Sequence, residues 1–205
     1  MTIVFDFDGT LANTYGIVLS LYNAEAANYD LRTISDEDWE AIRRMRFGEM
    51  LKFVGVKPHQ VPKYLAIGKQ ILKGHIEQIE LFDGVVDMIK RLKTAGHDLF
   101  VLSSNAEDTI QAVLDRYGLK DMNVMKSSKL FGKAVPLKRL IRVNKLQAGN
   151  VWMVGDEIRD VAAAHKAGIH SLAVTWGFHP KEMLATAKPD AYADTPNQLA
   201  ALFEK

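Results

Sequence analysis

Four short apolar runs, Thr2–Phe5, Leu99–Leu102, Val151–Val154 and Leu172–Val174, constrain the fold of this chain most tightly. Each is near-continuous rather than alternating with polar residues. A strand with one wet face alternates, whereas a strand covered on both faces does not. The runs therefore read as buried strands of a parallel sheet. Helical segments lie between them. Val85–Ala95, Ala106–Tyr117 and Asp160–Ala167 each end against a glycine, namely Gly96, Gly118 and Gly168, the residue that most readily closes a helix. Thr195 followed by Pro196 reads as the N-cap and first-turn proline of a last helix to Phe203. This alternation specifies an α/β fold built on an open, doubly wound parallel sheet.

The alternation breaks between about Asn13 and Phe82. These residues read as helices over Thr14–Asn28, Asp36–Met45, Gly48–Val54 and Gln60–Ile79, with no strand among them. Ser35 with Asp38 three positions later resembles a capping box for the second helix. The expected organisation is an α/β core of residues 1–12 and 83–205, with an all-helical cap of residues 13–82 inserted after the first strand. Ligands of open α/β sheets bind beyond the carboxyl ends of the strands. A lobe inserted there is expected to act as a lid.

Composition narrows the partners. The 205 residues are 48% hydrophobic, enough for a substantial core. Lys and Arg number 26 against 25 Asp and Glu, so no basic excess points to nucleic acid or a membrane surface. Cysteine is absent, which excludes disulfides and thiolate metal sites. The opening MTIVFDFDGT lacks the basic and apolar regions of a signal peptide, and no apolar run reaches the roughly 18 residues of a membrane span. The expectation is a cytoplasmic soluble protein, a monomer or homodimer.

Three polar motifs fall at strand ends. In Asp6-Phe7-Asp8-Gly9-Thr10-Leu11 the two aspartates are two apart, so an extended chain points both to one side. Ser103-Ser104-Asn105 lies between a strand and a helix start, where free N–H groups suit an anion. In Gly155-Asp156-Glu157-Ile158-Arg159-Asp160 the aspartates are four apart, on one face of a helix beginning there. Convergence of Asp6, Asp156 and Asp160 crowds three negative charges. Two unit charges at ~4 Å repel by about 4 kcal/mol at an effective dielectric near 20. Such a set calls for a cation, and oxygen ligands beside a phosphate favour Mg²⁺. Lys133, before a further helix, can neutralise a carboxylate and a phosphoryl group. Singly these features are bland: Asp-Gly marks turns, Ser-Ser-Asn caps helices, and surface lysines abound. Their common position at one sheet edge distinguishes them.

Together the motifs resemble those of the haloacid dehalogenase superfamily, in its phosphoglycolate phosphatase-like branch with a helical cap. Asp6–Leu11 is similar to the family's DxDGT motif, Leu102–Asn105 to its second, and Gly155–Asp160 to GDxxxD. Lys133 matches the third-motif lysine, although Ala134-Val135-Pro136 departs from the branch's Lys-Pro-x-Pro. The resemblance implies a Rossmann-like core and hydrolysis of a small phosphate monoester through an aspartyl-phosphate. Asp6 is then the nucleophile and Asp8 the acid and base. The resemblance further implies Mg²⁺ held by Asp6, the carbonyl of Asp8 and Asp156, with Asp160 either a ligand or a partner just behind the ligands. Ser103, Ser104, Asn105 and Lys133 surround the phosphoryl group, and Thr10 orients the first turn while standing beside the substrate.

In the cap, Arg43, Arg44 and Arg46 offer a partner for a second acidic group, Arg46 being the candidate, against the alternative of a solvated face. Trp176-Gly177-Phe178-His179 reads either as a cleft rim or as packing. The six histidines show no ligand spacing. Alternative readings are a sugar-phosphate mutase with the same nucleophile, a receiver-like signalling module, and a non-catalytic phosphate-binding protein.

Overall fold

A computed structural model describes residues 1–127 and 132–204, the side chains of residues 69 and 71 excepted. Six strands form one parallel sheet: β1 (Thr2–Phe5), β4 (Asp98–Ser103), β5 (Asn123–Lys126), β6 (Val151–Gly155), β7 (His170–Val174) and β8 (Ala191–Ala193). Their order is β5-β4-β1-β6-β7-β8. In register, Phe5 at the end of β1 pairs with Val101 on one side and Val154 on the other, and β4 and β6 run two and one residues further. The chain reverses its winding at β1. That is the switch point where an open α/β sheet leaves a crevice beyond the strand ends.

Helices α5 (Val85–Thr94), α6 (Glu107–Arg116), α7 (Ala134–Val143), α8 (Ile158–Ala167) and α9 (Lys181–Thr186) lie between the strands, and α10 (Pro196–Phe203) follows the last of them. All four residues of β1 are buried, as are Val101, Leu102, Met153 and Val154. Burial on both faces explains the unbroken apolar runs. One layer of the core packs Leu137 and Leu140 of α7 and Ala163 and Ala164 of α8 against Val4, Leu102 and Met153. Thr195 caps α10 by accepting from the Gln198 N–H at 3.2 Å.

Two sheet strands escape the sequence reading. β5 and β8 are edge strands, four and three residues long and largely half-buried, so neither leaves a continuous apolar run. A second omission is β2 (Ala12–Asn13), paired antiparallel with β3 (Glu80–Leu81). Two-residue strands carry no periodicity. This pairing holds Asn13 and Glu80 with the sheet, out of the segment read as helical. The chain divides into a unit of Met1–Asn13 with the residues from Glu80 onward, and a unit of Thr14–Ile79.

The second unit contains α1 (Tyr15–Ala26), α2 (Asp36–Ile42), α3 (Phe47–Phe53) and α4 (Val61–Lys73). Its core gathers Val54, Val56 and Val61 with Tyr22, Leu31, Phe47 and Leu65. Asn23 clamps the α1–α2 connection, bonding both the N–H and the carbonyl of Ile34 at 2.8 Å. The capping box at Ser35 is formed: Asp38 N–H donates to Ser35 Oγ at 3.1 Å and Ser35 N–H to Asp38 Oδ2 at 3.2 Å. The helices are shorter than periodicity suggests. α1 and α4 give way to 3₁₀ turns at Ala27–Tyr29 and Ile76–Gln78.

Candidate active site

The first unit brings the motif residues together at the carboxyl edge of its sheet. Asp6 extends the β1–β6 pairing by one bond, its N–H donating to the Val154 carbonyl at 2.8 Å. The chain then folds back sharply. The N–H groups of Leu11 and Ala12 both donate to the Phe7 carbonyl, at 3.0 and 2.9 Å. Gly9 permits this turn, with φ at 72°. Asp6 and Asp8 thereby line one cleft with Ser104, Ser127, Gly132, Lys133, Arg159 and Asp160. The cleft encloses about 380 Å³, part of it open to solvent.

Lys133 Nζ stands 2.5 Å from Asp6 Oδ2 and 2.6 Å from Asp160 Oδ1. Carboxylate oxygens of Asp6, Asp156 and Asp160 lie within 4.8 Å of one another, and all three residues are at most 3% exposed. Burial pushes the Asp6 carboxyl well above the usual carboxylate range. Lys133 opposes that rise, while Asp160, Asp156 and Asp8 add to it. Burial works against the Lys133 ammonium too, but Asp160 and Asp6 outweigh it and raise its pKa. The cluster is thus over-supplied with negative charge for one lysine. Oxygen-only donors, buried and closely spaced, fit a hard divalent cation.

Asp156 is fixed from two sides. Thr10 Oγ1 donates to its Oδ1 at 2.7 Å, and the Phe178 N–H donates to its Oδ2 at 2.8 Å. The Asp160 carboxylate bonds Lys133 through Oδ1 and receives the Glu157 N–H at Oδ2, at 3.2 Å, within a capping box on α8. Asp8 accepts from Asn105 Nδ2 at 2.8 and 2.9 Å. It lies outside the group of three carboxylates.

Thr10, Ser103 and Asn105 are buried next to cleft residues. Thr10 is buried against Asp156 and does not line the cleft. Ser103 accepts the Asn105 N–H at 3.0 Å, and Asn105 holds Asp8, so both organise the cleft from behind it. Of that motif, Ser104 alone borders the cleft. Small hydroxyl and amide residues serve loop and ligand equally well, so composition does not separate the roles. Arg46 belongs to the Thr14–Ile79 unit, where it precedes α3 and its N–H donates to Glu49 Oε2 at 2.7 Å.

The loop after β7 is the main addition. Trp176 Nε1 donates to the Thr10 carbonyl at 3.1 Å, and the His179 N–H to the Asp156 carbonyl at 3.2 Å. The imidazole of His179 accepts the Ile158 N–H at Nδ1, at 3.1 Å, which satisfies the start of α8. A Cβ on Gly177 would fall 2.3 Å from Asp156 Cβ and from the Gly9 carbonyl oxygen. One on Gly155 would fall 2.4 Å from Asp160 Oδ2. Glycine at these two positions lets three loops close around the carboxylates. Trp176–His179 is packing, and its target is the acidic cluster itself.

A family model described as haloacid dehalogenase-like hydrolase matches residues 3–174. The chain is 33% identical over 199 residues to a phosphoglycolate phosphatase of Synechococcus elongatus, covering 96% of this chain and 94% of that protein. It is 22% identical over 217 residues to the pyrophosphatase PpaX of Bacillus anthracis, covering 98% and 95% of the two. Among solved structures, a haloacid dehalogenase-like hydrolase of Streptococcus pneumoniae superposes with a TM-score of 0.76 at 20% identity, over 98% of this chain and 97% of that one. That last likeness concerns the fold. On the family match and the curated relative, the chain belongs to the haloacid dehalogenase-like hydrolases.

Proposed function

We propose that this protein hydrolyses small-molecule phosphate monoesters through a phosphoryl group carried on Asp6. The observation that carries the reading is the pairing of a buried Asp6 with Lys133 at 2.5 Å, in a cleft that Asp8 also lines. An Asp6 oxygen attacks phosphorus while the ester oxygen leaves, taking a proton from Asp8. Asp8, now a carboxylate, removes a proton from the water that cleaves the phospho-aspartate, and phosphate departs. Asn105 holds Asp8 for both transfers. Lys133 balances charge on the phosphoryl oxygens, and Ser104 borders them.

The buried carboxylates of Asp6 and Asp156 suit Mg²⁺, with the Asp8 carbonyl as a further oxygen and Asp160 beside them. When bound, the ion supplies positive charge that screens the carboxylates from the phosphoryl group. Thr10 and Phe178 hold Asp156 toward that position.

The 33% identity to a phosphoglycolate phosphatase makes 2-phosphoglycolate the first substrate to test, and the pyrophosphatase relatives make inorganic pyrophosphate the second. Phosphate release from a metabolite panel is expected with Mg²⁺ and is lost with chelator. Asp6→Asn abolishes steady turnover. Retained turnover in that variant rules out the nucleophile role, and conversion of a hexose 1-phosphate to its isomer favours a mutase.

A further inference from the structure

Two cations line the cleft among the described residues, and only Lys133 is held by its carboxylates. Arg159 is the other. It sits between Ile158 and Asp160 in the first turn of α8. Neighbours on a helix diverge by about 100°. Asp160 thus faces Lys133 while Arg159 reaches the cleft by a different route. Its guanidinium pairs with Glu157 Oε1, two residues back in the chain. The side chain remains 37% exposed, yet its Nε is buried and has no hydrogen-bond partner.

A structural arginine does not account for this arrangement. The Glu157 pair joins the N-cap and first turn of one helix and ties no two elements together. A buried N–H without a partner is a standing cost that a purely structural side chain avoids.

We propose that Arg159 is a second phosphate-binding cation, donating to non-bridging oxygens of the bound phosphoryl group while Glu157 holds it at the cleft. A planar guanidinium suits this task, because its parallel N–H groups match two oxygens of one phosphate. The inference rests on the phosphate-ester reading and adds a residue which that reading leaves unused. It also fixes the substrate feature recognised. Arg159 reads the phosphoryl group common to all substrates, and no second acidic group is required.

Titration calorimetry with inorganic phosphate, in Mg²⁺, tests the inference apart from turnover. Arg159→Gln is expected to weaken phosphate binding by about tenfold or more, the scale of a lost charge-assisted bond. Arg159→Lys recovers part of the loss. KM rises for every phosphate monoester, whatever its alcohol. Arg159→Met, which keeps the packing of the stem, carries the same expectation should the Gln variant not fold. Phosphate affinity within about twofold of the wild type in these variants overturns the inference. A KM increase confined to esters with a second acidic group overturns it as well. A wild type that neither binds phosphate nor releases it from any ester removes the phosphatase reading itself, and Arg159 with it. A wild type that does both, beside an unchanged Arg159→Gln variant, removes Arg159 alone.

Discussion

At the scale of single residues, Lys133 Nζ stands 2.5 Å from Asp6 Oδ2 in the cleft that Asp8 also lines. Asp6, Asp8, Lys133, Asp156 and Asp160 stand out in the sequence because their types are chemically complementary, and the structure brings them together. Gly177 and Arg159 carry no such signal, since a glycine or an arginine in a loop has many uses. Their roles depend on what lies across space. Gly177→Ala places a methyl against the Gly9 backbone, which has no rotamer through which to yield. We expect a stability loss of about 1–3 kcal/mol by denaturant titration, with reduced turnover as Asp156 is displaced. Unchanged stability and rate contradict the close approach. Asp6 gives a second prediction. Its folded pKa lies above the unfolded one, so between the two the folded state holds the extra proton. Stability therefore falls as pH rises from the ordinary aspartate value of about 3.9 toward the raised one. In chelator, Asp6→Asn is expected to melt above the wild type at neutral pH, with the gap closing below that value. A gap independent of pH contradicts this sign.

At the scale of elements, burial decided what was readable. Strands β1, β4, β6 and β7 announce themselves because both faces are covered, whereas β5 and β8 lie at the sheet edges with mixed exposure. Helix starts with a side-chain cap, as at Ser35 and Thr195, were legible to the residue. Helix ends without one drifted: α2 stops at Ile42 rather than Met45, and α4 at Lys73 well before Ile79. Periodicity continues through a 3₁₀ turn and so does not mark the change. Ser35→Ala removes one half of the reciprocal pair that starts α2. The expected loss is about 1 kcal/mol, read from chemical denaturation. No loss indicates that water replaces the cap without cost.

At the scale of the whole molecule, function follows from where the winding reverses. With β4 and β6 on either side of β1, three strands deliver Asp6, the Ser103–Asn105 turn and Asp156 to one edge. The net charge of +1 conceals this concentration of carboxylates. Among the described residues no helix is long and apolar enough to cross a membrane. The central claim is that phosphorus is attacked by Asp6, and rapid acid quench of turnover with a phosphorus-labelled ester tests it most directly. Peptide mass spectrometry is expected to find the phosphoryl group on Asp6 in the wild type and on no residue in Asp6→Asn. Label on another side chain, or full turnover with Asp6 never phosphorylated, contradicts the account.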